Sequence, residues 1–375
     1  MAASTKLRLR NLWLQVHKWL GITLAILIIP LSLSGSALVW DQWVDAQVNP
    51  QRYPAGGGAT ALAPSAYADA ARSQLQPGER LATIALPGED GGSVQAVLTK
   101  PAEGGGRPAR ATVYIDPASG QVIERAGGSE GLVRTLHMLH GTLMVPGVGR
   151  QIVGWIGVAM LISSLTGLWL WWPVTGSVRR GFRWRRQATT NANLHHLAGF
   201  WIAIPLAILS FTGAWISFPV FVASLIGATA QSGPPGGGPA QPLAETRLTA
   251  DAALAAAQVH ATGPLASIGW PTDRAAEWTV AFRREGGNAE VKVSDADGAA
   301  APPAPPRPET FARTMRRLHD GTGMGPVWQI IIFIGGILPA LLAVTGIIMW
   351  LRTRKWRGRA ADLKRRNVGI AEQPS

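Results

Sequence analysis

The sequence predicts a membrane protein: an all-α four-helix bundle, made of two tandem repeats of two transmembrane helices, that carries two small α+β modules. Three observations predict it. Four runs, roughly 19–40, 151–173, 197–226 and 327–351, hold no charged side chain, and each exceeds the about 20 mostly apolar residues that a bilayer's hydrocarbon core requires. Short motifs recur at one spacing in the first and third runs, and at another in the second and fourth. Six of the seven histidines lie at the ends of these runs. One such run could be a buried core helix, but four in a chain of 375 residues read as spans.

Charge sets the expected orientation. Lys6, Arg8, Arg10 and Lys18 precede the first run, Arg179, Arg180, Arg183, Arg185 and Arg186 separate the second from the third, and Arg352, Arg354, Lys355, Arg357, Arg359, Lys364, Arg365 and Arg366 follow the fourth. With four spans these clusters share one side, and basic loops stay cytoplasmic. Both termini are therefore expected in the cytoplasm and the two large loops outside, with the first span acting as an uncleaved signal anchor. The net charge of +13 is accounted for by this asymmetry and calls for no nucleic-acid partner. The absence of cysteine excludes disulfides, iron–sulfur clusters, thiol redox chemistry and haem attached through C-x-x-C-H. Tryptophans at the run ends, Trp13, Trp19, Trp40, Trp43, Trp171, Trp172, Trp350 and Trp356, read as an aromatic belt.

In chain order, residues 1–48 form the cytoplasmic start and first span, and 49–130 the first outer module. Within that module a Gly/Pro/Ala-rich linker at about 50–65 leads to a helix at 66–76 and strands at 81–86, 93–99, 111–115 and 121–125. Asp116-Pro-Ala-Ser-Gly120 has the residues of a turn between the last two. Residues 131–174 hold an outer histidine segment and the second span, 175–194 a basic cytoplasmic loop, and 195–228 the third span. The second module, 229–310, repeats the plan more faintly. A low-complexity stretch at 231–242 precedes a helix near 249–258, strands near 265–270, 277–283 and 289–294, and a Pro/Ala linker at 299–308. A second outer histidine segment and the fourth span, 311–352, lead to a basic tail, 353–375.

The duplication is a matter of spacing. His17 stands 18 residues before Gly35 in Ser34-Gly35, and His195 stands 18 before Gly213 in Thr212-Gly213. His140 stands 26 residues before Thr166-Gly167, and His319 stands 26 before Thr345-Gly346. Gly21, Gly35, Gly199 and Gly213 are expected to let helices or a planar ligand approach closely.

Ionisable or ligating side chains at membrane depth are costly and point to function. His17, His195 and His196 are expected at the cytoplasmic end, and His137, His140 and His319 at the outer end. Each end thus offers one equivalent pair drawn from both repeats, His17 with His195 and His140 with His319. A flat macrocycle held by one imidazole from each of two helices is the arrangement of b-type haem. Zinc, which takes three or four ligands, and interfacial histidines with no ligand are the alternatives. His196 and His137 remain alternative ligands. Arg134 and Arg313, with Arg316 and Arg317, suit haem propionates or an anionic substrate, or snorkel at the interface. His260 reads as a solvated surface residue.

At these residues the chain resembles the PepSY-associated transmembrane family, also described as iron-regulated membrane proteins. The resemblance rests on His17-Lys-Trp-Leu-Gly21, Leu139-His140-Gly141, Thr166-Gly-Leu-Trp-Leu-Trp-Trp172, Leu194-His-His-Leu-Ala-Gly199, Leu318-His319 and Thr345-Gly346, and on Tyr114-Ile-Asp-Pro-Ala-Ser-Gly-Gln-Val122 as a PepSY strand–turn–strand. In the second module only Asp295-Ala-Asp-Gly298 suggests that turn. The resemblance implies a bacterial inner-membrane protein with PepSY-like periplasmic modules and two b-type haems held by His17, His195, His140 and His319. Some members are similar to siderophore reductases, so a ferric siderophore or other ferric chelate is the expected acceptor. No G-x-G-x-x-G follows a strand and no P-loop is present, so quinol or a separate cytoplasmic reductase is the expected donor. A non-enzymatic PepSY regulator or binding protein, and a component of iron–siderophore transport, are the rival readings.

Overall fold

A computed structural model gives the architecture. It describes the chain apart from residues 1, 55–61, 89–90, 102–107, 129–130, 173–178, 180–182, 184–186, 220, 222–223, 225–239, 285–286, 305–308 and 372–375. Much of the basic loop at 175–194, residues 55–61 of the linker at 50–65 and most of the linker at 231–242 therefore lie outside the described residues. In order, the elements are α1 (Ala2–Leu38), α2 (Asp41–Val48), α3 (Pro64–Arg72), β1 (Arg80–Ala85), β2 (Val94–Lys100), β3 (Ala109–Ile115), β4 (Val122–Gly127), α4 (Leu132–Thr142), α5 (Gly149–Trp171), α6 (Thr190–Ser217), α7 (Ala250–Gln258), β5 (Leu265–Gly269), β6 (Glu277–Arg284), β7 (Gly287–Ser294), β8 (Ala300–Ala301), α8 (Phe311–Asp320) and α9 (Gly325–Ala371). They form two compact units: 1–40, 136–230 and 310–375 in one, and 41–135 with 231–309 in the other.

The first unit is helical. Leu7–Leu38, Gly149–Trp171, Thr190–Ser217 and Gly325–Lys355 are each long and apolar enough to cross a membrane. They neighbour one another in the ring α1–α5–α6–α9. The lipid-facing character is plain from Ile26, an isoleucine in mid-helix that is 79% exposed, and from exposed Ile204, Leu165 and Val327. Small residues bring the helices together. A Cβ on Gly336 would strike Ser36 and the Ser32 carbonyl of α1, and one on Gly157 would stand 3.2 Å from the Ser210 carbonyl of α6. Ser210 follows Ser32 by 178 residues and Gly336 follows Gly157 by 179, so the α1–α9 and α6–α5 contacts use corresponding positions.

Several helix ends differ from the expected spans, two of them for visible reasons. α1 begins well before residue 19, because charge interrupts the apolar run without interrupting helix. Arg10 there donates to the Leu170 and Trp172 carbonyls at 2.6 and 3.1 Å, satisfying groups that the end of α5 leaves open. α6 stops at Ser217 rather than 226. Phe218 precedes Pro219, and a residue before proline is pushed out of the helical region.

The outer histidines also sit differently from the sequence reading, which placed them at the heads of the spanning helices. They lie on separate short helices, α4 and α8. Leu143 and Met144 turn the chain in the left-handed region, with φ of 49° and 58°, and Gly321 does so after α8 at 79°. Pro146-Gly147 and Gly321-Thr-Gly323 mark these breaks in the sequence.

Among the described residues, the second unit is built on one antiparallel sheet of eight strands, ordered β4-β3-β2-β1-β5-β6-β7-β8. Inward residues alternate along the strands, as in Val94, Ala96 and Leu98 of β2 and Val291 and Val293 of β7. They join Tyr67, Ala68 and Ala71 of α3 and Ala253 and Ala257 of α7 in a single core. Read from sequence, the two halves are separate modules; in the structure they share this sheet. The seam is β1 on β5, through Thr83 opposite Gly269, Ile84 opposite Ile268 and Ala85 opposite Ser267. An open β1 edge would expose unpaired backbone groups, and the seam removes it. The Asp116–Gly120 turn recurs too, one residue earlier than its acidic residues suggest. Ser294 and Gly298 make the bonds of Asp116 and Gly120, with Gly120 at φ 72° and Gly298 at 75°.

Arg52 anchors this unit's N-terminal edge. Its buried guanidinium bonds Asp45 at 3.0 Å and Glu124 at 2.5 Å and lies 4.4 Å from the Tyr114 ring centre. The hydrogen bond from Arg52 holds the Glu124 carboxyl below the ordinary carboxylate range.

Candidate histidine site

The helical unit brings four of the predicted histidines together as two pairs. His17 of α1 and His195 of α6 have ring centres 6.4 Å apart with planes at 84°. His140 of α4 and His319 of α8 are 6.0 Å apart at 35°. Each pair takes one ring from each half of the chain.

Every one of these rings is seated on a glycine of a neighbouring helix. A Cβ on Gly167 of α5 would stand 3.1 Å from His17, one on Gly35 of α1 2.6 Å from His140, one on Gly213 of α6 2.9 Å from His319, and one on Gly346 of α9 3.6 Å from His195. His17, in the first half of α1, meets the end of α5, while His140, just before α5, meets the end of α1. The two helices are therefore antiparallel, and the same reasoning orders α6 and α9.

The glycines matter because of where a Cβ points. In a helix it leans toward the N-terminus, over the preceding turn, and each ring bonds a group of that turn. His140 Nδ1 is 2.8 Å from the Leu31 carbonyl, His17 Nδ1 3.0 Å from that of Ser163, and His319 Nδ1 3.1 Å from that of Leu209. Each carbonyl lies four residues before its glycine. His195 differs: its Nδ1 lies 2.8 Å from the hydroxyl of Thr345, the residue before Gly346. That hydroxyl donates to the Leu341 carbonyl at 2.8 Å, so it accepts from the imidazole. A carbonyl only accepts. Nδ1 therefore carries the proton, and Nε2 is left with its lone pair, the form in which metal-bound imidazole is usually oriented.

The spacing can be tested against a metal. A metal–nitrogen bond is about 2 Å, and an imidazole nitrogen lies about 1 Å from its ring centre, so two rings on one ion put their centres roughly 6 Å apart. Both pairs meet this. Among the described residues no group of three His, Cys, Asp or Glu converges for a metal ion. An ion held by one pair would thus have two protein ligands and its remaining positions free for a non-protein ligand.

The other candidates fall outside the pairs. His196 stacks on Trp171 at 5.9 Å, and Trp171 stacks on Phe200 at 4.0 Å, so His195 is the member of the doublet that meets His17. His137 lies exposed one turn before His140. Arg134, Arg313 and Arg316 are exposed on the short helices. Arg317 instead closes the turn after α8, donating to the Thr322 and Gly323 carbonyls at 3.1 and 3.0 Å. Of the glycines singled out by sequence, Gly35 and Gly213 seat histidines; Gly21 meets nothing within 4 Å, and Gly199 makes one ordinary contact with Leu342. His260 is exposed on the sheet unit. The carbonyls and their spacing from each glycine were not read from sequence, although the recurrent Ser/Thr-Gly pairs marked the place.

Among known proteins, the family described as the PepSY-associated TM region matches residues 14–353, a stretch containing all four paired histidines. No curated protein matches the chain.

Proposed function

The chain belongs to the PepSY-associated TM family, and from that premise we propose that it binds two b-type haems, one at each histidine pair, and reduces a ferric chelate such as a ferric siderophore. The observation that carries this reading is the pairing itself: two imidazoles from different halves, about one metal's width apart, each with Nδ1 engaged. His17 and His195 would hold one haem, and His140 and His319 the other. Bound there, haem supplies one-electron exchange at its iron. The protein's part is to present Nε2 of each ligand, to keep the rings from turning through the Nδ1 bonds, and to surround them with apolar helix. Arg134 and Arg313 each precede a second-pair histidine by six residues and are the candidate partners of propionates.

In this reading the protein lies in a bacterial inner membrane with both termini cytoplasmic and the sheet unit periplasmic. Electrons come from quinol or a separate cytoplasmic reductase. The levels of the two pairs along α1, from residue 17 to residues 31–35, differ by about 21–27 Å at 1.5 Å per residue, enough to place the pairs toward opposite membrane faces.

The test is an oxidised and dithionite-reduced visible spectrum of the detergent-purified chain with haem quantified. About two b-type haems per chain are expected, followed by reduction of a ferric siderophore. A chain purified without haem and unable to take it up would overturn the reading in favour of a regulator.

A further inference from the structure

We propose that each of the dipeptides Ser34-Gly35, Thr166-Gly167, Thr212-Gly213 and Thr345-Gly346 supplies a positioning residue, the glycine at the first three and Thr345 at the fourth. Each is a socket that sets which nitrogen of its histidine is protonated and thereby presents the other to the iron. This deepens the haem reading and rests on it for the identity of the metal group.

The geometry recurs with different helices. At Gly346 the ring stands off and its Nδ1 meets the Thr345 hydroxyl. At Gly35, Gly167 and Gly213 a ring edge crowds the place a Cβ would take, and its Nδ1 reaches the carbonyl four residues back. An alanine would cover that turn, and the imidazole would have to withdraw from its acceptor. A neutral imidazole that loses its Nδ1–H acceptor is free to carry its proton on either nitrogen, and protonated Nε2 binds no metal. Loss of such an outer partner typically weakens metal binding about 10–100-fold.

The sockets are not equal, which makes the proposal sharp. Clearance to the ring runs 2.6 Å at Gly35, 2.9 Å at Gly213, 3.1 Å at Gly167 and 3.6 Å at Gly346. The last is ordinary contact, so an added methyl fits. There the Thr345 hydroxyl bonds the imidazole directly, whereas the Ser34 hydroxyl is spent on its own helix at Pro30 and Leu31. The hydroxyl is thus decisive at the fourth socket and dispensable at the first.

The experiment uses the full chain, labelled with ¹⁵N-histidine, in detergent. Nitrogen NMR of the haem-free protein reads the protonated nitrogen of each ring, and haem titration reads affinity. The wild type is expected to show at least four of its seven histidines protonated at Nδ1. Gly35→Ala should remove one of the four and weaken one haem about 10–100-fold, while Ser34→Ala changes neither. At the other socket the order inverts: Thr345→Val should act and Gly346→Ala should not. Should Gly35→Ala fail to fold, Gly213→Ala carries the same prediction. Gly336→Ala is the packing control, because its Cβ would strike Ser32 and Ser36 and no histidine; it should lower thermal stability and leave both readouts alone. Equal effects at Gly35 and Gly346, or a wild type with its rings protonated at Nε2, would overturn the sockets. A wild type that binds no haem but keeps four Nδ1-protonated rings would overturn the haem reading alone.

Discussion

The two histidine pairs are alike in spacing and unlike in support. His17 and His195 stand in the first halves of long helices that are themselves candidate spans. His140 and His319 stand on helices of 11 and 10 residues, hung from the bundle by turns that need left-handed backbone. The first pair is as rigid as the bundle. The second depends on two short connections, and so is where movement or damage should show first.

The most drastic way to break the comparison is to remove a ligand from each end. If two haems bind as proposed, His17→Ala and His140→Ala should each cut bound haem from about two to about one per chain, with different halves of the spectrum lost. If both variants lose the same component, the pairs are not independent sites. A smaller effect separates the supports. Gly321→Ala places a side chain at φ 79° and 3.0 Å from Ile332, at a strain of about 1–2 kcal/mol. It should weaken the haem of the second pair and spare the first, as read by titrating each spectral component. Smaller still, His196→Phe and His137→Phe should leave haem content unchanged; a loss in either would return that residue to the list of ligands.

The smallest expected effect on the pairs comes from acid. Glu124 has its folded pKa lowered by Arg52, so the stabilisation it gives is present above its unfolded value and is lost as pH falls through the folded one. The sheet unit should therefore loosen below the ordinary carboxylate range. Circular dichroism of the strands against pH would follow it, and Glu124→Gln should flatten the dependence.

Much of the fold was legible because each element carries its own signature. The strand at 94–100 announces itself by alternation and the spans by uncharged length. That His17 would meet the histidine doublet followed from repeat spacing and the order of the spans; which of His195 and His196 it would meet did not. What escaped was anything decided by a distant partner. No pattern within Thr83-Ile84-Ala85 says that it pairs with 267–269. Asp45, Arg52 and Glu124 become a cluster only once β4 is in place. Ser294 escaped as a turn residue because serine can make the bonds for which aspartate is the commoner sign. In the site, Gly35 and Gly213 signalled close approach, but a glycine does not state what approaches. The separate helices α4 and α8 were missed because a histidine just before an apolar run looks like its first turn.

The β1–β5 seam also sets a clock. Ala85 and Leu265, at the two sides of the join, are 180 residues apart, with two candidate spans between them. At a synthesis rate of about 5–20 residues per second, β1 waits roughly 10–40 s for its partner. During that interval its edge is open to any strand that comes by, including β1 of another nascent chain, and whatever shields it in the cell must act on that timescale.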